Sequence, residues 1–340
     1  MKKVLVIGAT GTMGAHLVPA LLQKGYAVDG VTLDNAMSKK ANLRYIKTNA
    51  HDKAVLQELL KNGYDGVIDF LHYADIEDFK IKSRMFLENV GHYIFLSSYR
   101  AYADCKGLLT EDSPRLTEAY ADDKWLMRED TYGVRKCRAE DALRESGFKN
   151  YTIVRPVVVY GENRYPITTW AENLVAYRAQ QGKKLLLPTE TKDKGAALIY
   201  AGDIAKEFVG VLGNEKAFGQ SYTFGAPENL TWGEVAEICK EICGLESEWI
   251  PADEFAKMAT GNAEPIPAGT KCMLYYDRVF NRQVNVEKVM SHANLQKKDF
   301  LSFKEGLRLC YSRFPENYVP NDWEQAQNTY MDEYIKEKGL

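Results

Sequence analysis

Val4-Leu5-Val6-Ile7-Gly8-Ala9-Thr10-Gly11-Thr12-Met13-Gly14 decides how this chain is read. Four apolar residues suit a buried strand, and glycines at 8, 11 and 14 then open a segment of helical periodicity. In that context glycine lets the backbone turn tightly and lets a pyrophosphate approach the N-terminus of the helix. The spacing is G-x-x-G-x-x-G, one residue longer at its front than the common dinucleotide fingerprint. Asp34 stands twenty residues after Gly14, at the end of the next apolar segment. A carboxylate there can accept both hydroxyls of an adenosine ribose and repel a 2′-phosphate. The pattern favours NAD, with NADP the lesser option because Lys39 and Lys40 lie close behind.

Outward from this stretch, strand-like segments over 3–7, 27–33, 44–47, 67–71, 93–97 and 151–155 alternate with helical ones over 12–24, 52–62, 76–89 and 124–146. That order predicts a parallel sheet of at least six strands with helices on both faces. Gly25 and Gly63 stand where left-handed caps would end the first two helices. Beyond Pro156 the alternation loosens, with helices expected over 168–181, 203–212, 232–243 and 303–312. The expected division is a dinucleotide-binding domain over 1–160, a substrate lobe over 161–312 with segments returning to the sheet, and a helical extension over 313–340. In that extension Trp323, Ala326, Tyr330 and Tyr334 share one stripe, which predicts a helix over 322–336 docked by that stripe.

The 340 residues are 45% apolar and 27% charged, which supports a large core, and the net charge of −3 offers no basic excess for a nucleic-acid backbone. Nucleic acid is therefore a poor partner. The run from Val4 to Ile7 is too short for a signal peptide or a membrane span, so a cytoplasmic location is expected. The six cysteines show no framework spacing, so reduced thiols are expected, and no metal site is read from Cys239 and Cys243.

Tyr132 and Lys136 stand four apart, on one helix face, so the Lys136 ammonium can sit beneath the Tyr132 phenol and favour its ionised form. Such a pair suits proton exchange beside a nicotinamide. His51, His92 and His292 have no evident partners and carry no assigned chemistry.

Glycine spacing, Asp34 and the Tyr-x-x-x-Lys pair together resemble the short-chain dehydrogenase/reductase superfamily. The whole chain resembles its extended branch, the NAD-dependent epimerase/dehydratase family. The segment Ile94-Phe95-Leu96-Ser97-Ser98-Tyr99-Arg100-Ala101-Tyr102 resembles that family's strand ending in Ser-Ser. Arg155-Pro156-Val157-Val158-Val159-Tyr160-Gly161 resembles its Arg-Pro segment bordering the nicotinamide. The resemblance implies an α/β, Rossmann-type doubly wound parallel sheet with a smaller C-terminal substrate lobe. It implies Ser98, Tyr132 and Lys136 as catalytic residues, with Tyr132 the general acid/base. On the cofactor it implies Gly8, Thr10, Gly11, Thr12, Met13 and Gly14 at the pyrophosphate, Asp34 and Asn35 at the ribose, and Asn49 and Ala50 near adenine. Phe70, Leu71, His72, Pro156 and Val158 would lie along the remainder.

Departures from the family pattern bear on the substrate. Val158 and Ala196 stand where nucleotide-sugar epimerases usually carry an Asn and a pyrophosphate-binding Arg, and Tyr99-Arg100 replaces the Asp-Glu pair of the dehydratases. Tyr73, Tyr99, Arg100, Asn163 and Arg164 are the candidate substrate contacts, and the stretch over 103–131 is expected to form a lid. Several departures also resemble a divergent branch that includes the chloroplast stem-loop-binding proteins. The expected activity is that of an NAD-dependent oxidoreductase or epimerase acting on a hydroxyl of a sugar or nucleotide-sugar-like small molecule, in a homodimer. The alternative is an RNA-binding or regulatory protein that holds NAD without turnover.

Overall fold

Successive residues of β1 (Lys3–Ile7) face opposite sides, and both sides are buried. Val4 and Val6 enter one apolar core, and Leu5 and Ile7 enter a second on the other face of the sheet. The computed structural model describes residues 2–130, 132–170 and 173–340. β1 pairs in parallel with β2 (Ala27–Thr32) on one side and with β4 (Tyr64–Asp69) on the other. β3 (Leu43–Lys47) extends the sheet beyond β2, and β5 (Val90–Leu96) and β6 (Tyr151–Pro156) extend it beyond β4. A seventh parallel strand, Gln220–Phe224, returns from the second half of the chain to pair with β6. The strand order reverses between β1 and β4, and the carboxyl ends of these two strands flank the crevice in which such sheets bind ligands.

Helices α1 (Thr12–Gln23), α2 (Lys53–Leu60) and α3 (Ile76–Asn89) connect these strands. Asp52 and Asp75 cap the second and third by accepting hydrogen bonds from first-turn amides. The 103–131 stretch is not a loose lid. It contains the short helices α4 (Leu116–Ala119) and α5 (Lys124–Glu129), and Leu109, Leu116 and Leu126 are fully buried. The Glu111 carboxylate accepts from the Thr223 amide at 2.6 Å, which ties the stretch to the seventh strand. Position 131 lies outside the described residues.

The helix expected over 124–146 is two helices, because the Asp130 carboxylate accepts from the amides of Tyr132, Gly133 and Val134. These bonds start α6 (Gly133–Glu145) afresh, with Tyr132 as its N-cap residue. The helix expected over 168–181 begins only at Leu174, after Thr168 takes a φ of +48°. Positions 171 and 172 lie outside the described residues.

The last helix, Asp322–Lys338, docks through a face that only partly coincides with its apolar stripe: Tyr330 and Tyr334 are half-buried against the core, while Trp323 is exposed. Its buried residues are Glu324, Gln327, Asn328 and Met331. Among the described residues no helix is long and apolar enough to cross a membrane.

Candidate active site

Gly8 turns out of β1 with a φ of +83°, a region costly for any residue with a side chain. A Cβ at Gly14 would stand 2.3 Å from the Gly8 carbonyl oxygen, so α1 lies against the loop only because that position is glycine. A Cβ at Gly11 would meet nothing nearer than 3.6 Å. The first turn of α1 has no side-chain cap and no acidic residue, which leaves its amides to an anion. This cradle fits a pyrophosphate. Thr10 Oγ1 donates to Asp34 Oδ2 at 2.6 Å, and the Asp34 amide donates to Thr32 Oγ1 at 3.0 Å. The exposed Asp34 carboxylate is thereby held at the end of β2, beside the loop.

The other expected cofactor residues divide. Thr12 and Met13 lie in that first turn, Asn49 and Ala50 follow β3, and Phe70, Leu71 and His72 follow β4, all at the same end of the sheet. Asn35 accepts from Lys47 Nζ at 2.7 Å. Pro156 ends β6, while Val158 packs into the apolar core with its amide on the Ala197 carbonyl.

Tyr132 sits between two planar groups. The His72 imidazole stacks on its ring at 6.0 Å between centroids, and the Arg100 guanidinium lies 4.9 Å from the ring centroid. Burial, with Lys136, Arg135 and His51 nearby, lowers the His72 pKa and so favours its neutral form. Lys136 is buried beneath. Its ammonium donates to the Leu96 carbonyl at 2.6 Å and lies 5.9 Å from the Tyr132 ring centroid. Burial lowers the Lys136 pKa, against the opposing pull of Tyr132, Asp69 and Glu140.

The two serines after β5 part company. Ser97 donates to Glu140 Oε1 at 2.6 Å, whereas Ser98 Oγ accepts from the Arg100 amide at 3.2 Å. The Ser98 proton is not committed by that bond, so it can be donated to a reacting oxygen. Glu140 is fully buried and takes two hydrogen bonds from Arg155, at 2.8 and 2.6 Å. Burial alone would raise the Glu140 pKa, but the Arg155 guanidinium and the Ser97 hydroxyl hold it below the usual carboxylate range.

Two expected substrate contacts turn away from solvent. Tyr73 is buried and donates its hydroxyl to Asp69 at 2.6 Å; Tyr93 donates to the same carboxylate at 2.9 Å. Tyr99 is buried, and its oxygen accepts from Arg278 at 2.7 Å. Asn163 is exposed, and Arg164 lines a separate small apolar recess with Tyr165 and Phe303. This segment packs by α1, where Glu162 meets His16 at 2.9 Å, rather than by Tyr132. Tyr73 borders a narrow recess with His72, Tyr132 and Lys136, and Arg100 alone of the five lines the larger cleft that Tyr132 enters. That cleft is about 580 Å³, and Trp170, Phe255, Met273, Trp323 and Tyr330 also line it.

Several residues packed around these side chains were not read from the sequence. Asp69 and Glu140 carried a legible signal: one is an acid in an apolar strand, the other lies eight residues beyond Tyr132 on the same helix face. Asp277, Arg278 and Arg282 did not. A π-type turn at Leu274–Arg278 brings Asp277 to Arg278, to Arg282 at 3.0 Å and to Arg100 at 3.5 Å.

A parallel sheet with its glycine cradle at the switch point defines a dinucleotide-binding α/β protein. Residues 4–225 match the model of the NAD dependent epimerase/dehydratase family, and the chain belongs to that family. The chloroplast stem-loop binding protein of 41 kDa b from Arabidopsis thaliana is 25% identical over 260 residues. That match spans 72% of this chain but only 64% of the relative's length. A dTDP-glucose 4,6-dehydratase from Bacillus anthracis, solved with NAD, superposes with a TM-score of 0.68 at 17% identity, covering 93% of this chain and 97% of the other. A UDP-glucose 4-epimerase from Thermotoga maritima, solved with UDP-glucose, gives 0.65 at 19% identity, covering 92% and 98%. A UDP-glucuronic acid 4-epimerase from Bacillus cereus, solved with UDP-glucuronic acid and NAD, gives 0.68 at 17%, covering 93% and 100%. At these identities the likeness is one of fold.

Proposed function

We propose that this chain is an NAD-dependent oxidoreductase or epimerase that acts on a hydroxyl of a sugar-like small molecule. The observation that carries the reading is the placement of Tyr132 at a cleft of small-molecule size, over the buried Lys136. Gly8 to Gly14 would hold the pyrophosphate and Asp34 the adenosine ribose, with NAD preferred over NADP. A bound nicotinamide supplies reversible hydride acceptance. Tyr132 takes the proton from the substrate hydroxyl as the carbon becomes a carbonyl, and returns it on reduction. Ser98 donates to that oxygen, and Lys136 orients the ribose while its charge favours the proton's transfer to Tyr132. In an epimerase the ketone is reduced again from its other face, with no net redox change.

Tyr132→Phe tests the assignment. Turnover of sugar substrates should fall by at least about 100-fold, the scale of general acid/base catalysis, while NAD titrates as in the parent. An active variant would refute the role of Tyr132.

A second reading follows from the stem-loop-binding relative and from a groove of about 1030 Å³ lined by Lys2, Lys24 and Lys206. There the chain binds structured RNA and holds NAD without turnover. RNA affinity that survives Tyr132→Phe and falls with Lys24→Glu, together with absence of NADH formation on a sugar panel, would favour it.

A further inference from the structure

Amphipathic helices ordinarily bury their apolar stripe and leave polar residues to water. The helix Asp322–Lys338 departs from this: polar Glu324, Gln327 and Asn328 are buried, while its stripe is only partly covered and Trp323 is exposed. Its docked face buries Met331 in the core together with polar residues that are satisfied. Glu324, fully buried, accepts from the Asn173 amide at 3.1 Å and from the Tyr318 hydroxyl at 2.6 Å. Gln327 donates to the Ala259 carbonyl at 2.8 Å, and the Asn328 side-chain oxygen accepts from Arg178 at 2.6 Å. Asp332 pairs with the same arginine at 3.0 Å. These bonds hold the helix in one rotation about its axis, and that rotation turns Trp323, Ala326 and Tyr330 towards the cleft entered by Tyr132. Trp323 is 52% exposed there. Trp170, Phe255, Pro267 and Met273 line the same cleft.

The charges around the cleft are as telling as its apolar walls. Its charged lining residues are Arg100, Glu129 and Asp130, and Arg100 already faces Asp277 at 3.5 Å. Arg278 and Arg282 behind it are engaged by Asp277, Tyr99 and the carbonyls of Thr168, Tyr102 and Tyr276. A diphosphate entering the cleft would meet one partnered cation and two carboxylates. An uncharged molecule with an apolar face meets a wall that lacks only its partner.

We propose that the last helix completes the substrate pocket, and that Trp323 and Tyr330 form a platform for the aromatic or alkyl group of an uncharged hydroxylated substrate, an aryl or alkyl glycoside rather than a nucleoside-diphosphate sugar. The proposal rests on Tyr132 as the group that meets the substrate hydroxyl. Trp323 is then a specificity-determining residue outside the family-matched region, which ends at residue 225.

Calorimetric titration of the NAD-loaded protein with phenyl β-glucoside, glucose and UDP-glucose tests it. Phenyl β-glucoside should bind at least about 10-fold more tightly than either of the others, and Trp323→Ala should remove that advantage while Trp323→Phe keeps most of it. Ala326→Trp, which fills the cleft from a partly exposed position, should block the glycoside without changing the thermal midpoint. Tighter binding of UDP-glucose, glycoside binding indifferent to Trp323→Ala, or no glycoside binding at all would overturn the proposal. Binding as expected without any turnover would count against the Tyr132 chemistry and leave the platform standing.

Discussion

Asp34 stands exposed at the end of β2 with one carboxylate oxygen on the Thr10 hydroxyl, oriented before any ribose arrives. Hydrogen bonds from hydroxyls to a charged acceptor contribute about 1.5–3 kcal/mol. Asp34→Ala should therefore weaken NAD by roughly 10- to 100-fold and weaken NADP much less, because the same change removes repulsion of the 2′-phosphate. Fluorescence titration with both nucleotides checks this, and unchanged NAD affinity would end the ribose assignment. At the residue scale, legibility followed sequence distance. Tyr132, Lys136 and Glu140 repeat every four residues, so their common face is written in the spacing. The burial of Tyr73 was not legible, because a polar tip on a strand-end residue suggests solvent and nothing in its neighbours announces the buried Asp69 that takes its hydroxyl hydrogen bond.

The elements carry polar groups that the sheet has closed over. His92 on β5 accepts from the Gly213 amide at Nδ1, 3.0 Å away, so its proton sits on Nε2 and is donated to Thr152 Oγ1 at 2.8 Å. Burial pushes its pKa down to about 3. The unfolded chain takes up a proton near pH 6.5, and the folded chain does not until about pH 3. His92 therefore contributes stability above pH 6.5 that is lost as pH falls towards 3, by up to about 1.4 kcal/mol per pH unit. In urea unfolding between pH 6 and 4, His92→Gln should flatten the pH dependence by that slope; an identical slope in the variant would refute it. Element boundaries were legible where a cap marks them, as at Asp52 and Asp75. They failed at 124–146, where helical periodicity continues across Asp130 while its carboxylate takes the amides that a continuous helix would have bonded internally.

For the whole molecule, α3 packs on α6 beside the site and leaves Ile81 47% exposed on its outer side. The family resemblance implies a dimer through these helices, and an exposed isoleucine supplies an apolar contact for it. Sedimentation should give twice the 38.5 kDa chain mass, and Ile81→Lys should shift the protein towards monomer; a monomeric parent would reject the assembly. The sequence by itself determined the glycine cradle, the alternation of strands and helices and the Tyr132–Lys136 pair. Backbone conformation and periodicity act over a few residues, and those residues are contiguous. Tertiary structure alone decided the rest of the site. Arg100, Tyr132, Trp170, Met273 and Trp323 meet in one cleft although more than two hundred residues separate the first from the last. Periodicity correctly placed Trp323, Ala326 and Tyr330 on one helix face. How far that face meets the core or an open cleft depends on what else docks the helix, and here Glu324, Asn328 and Asp332, through partners far away in the chain, leave Tyr330 half-buried and Trp323 at the cleft.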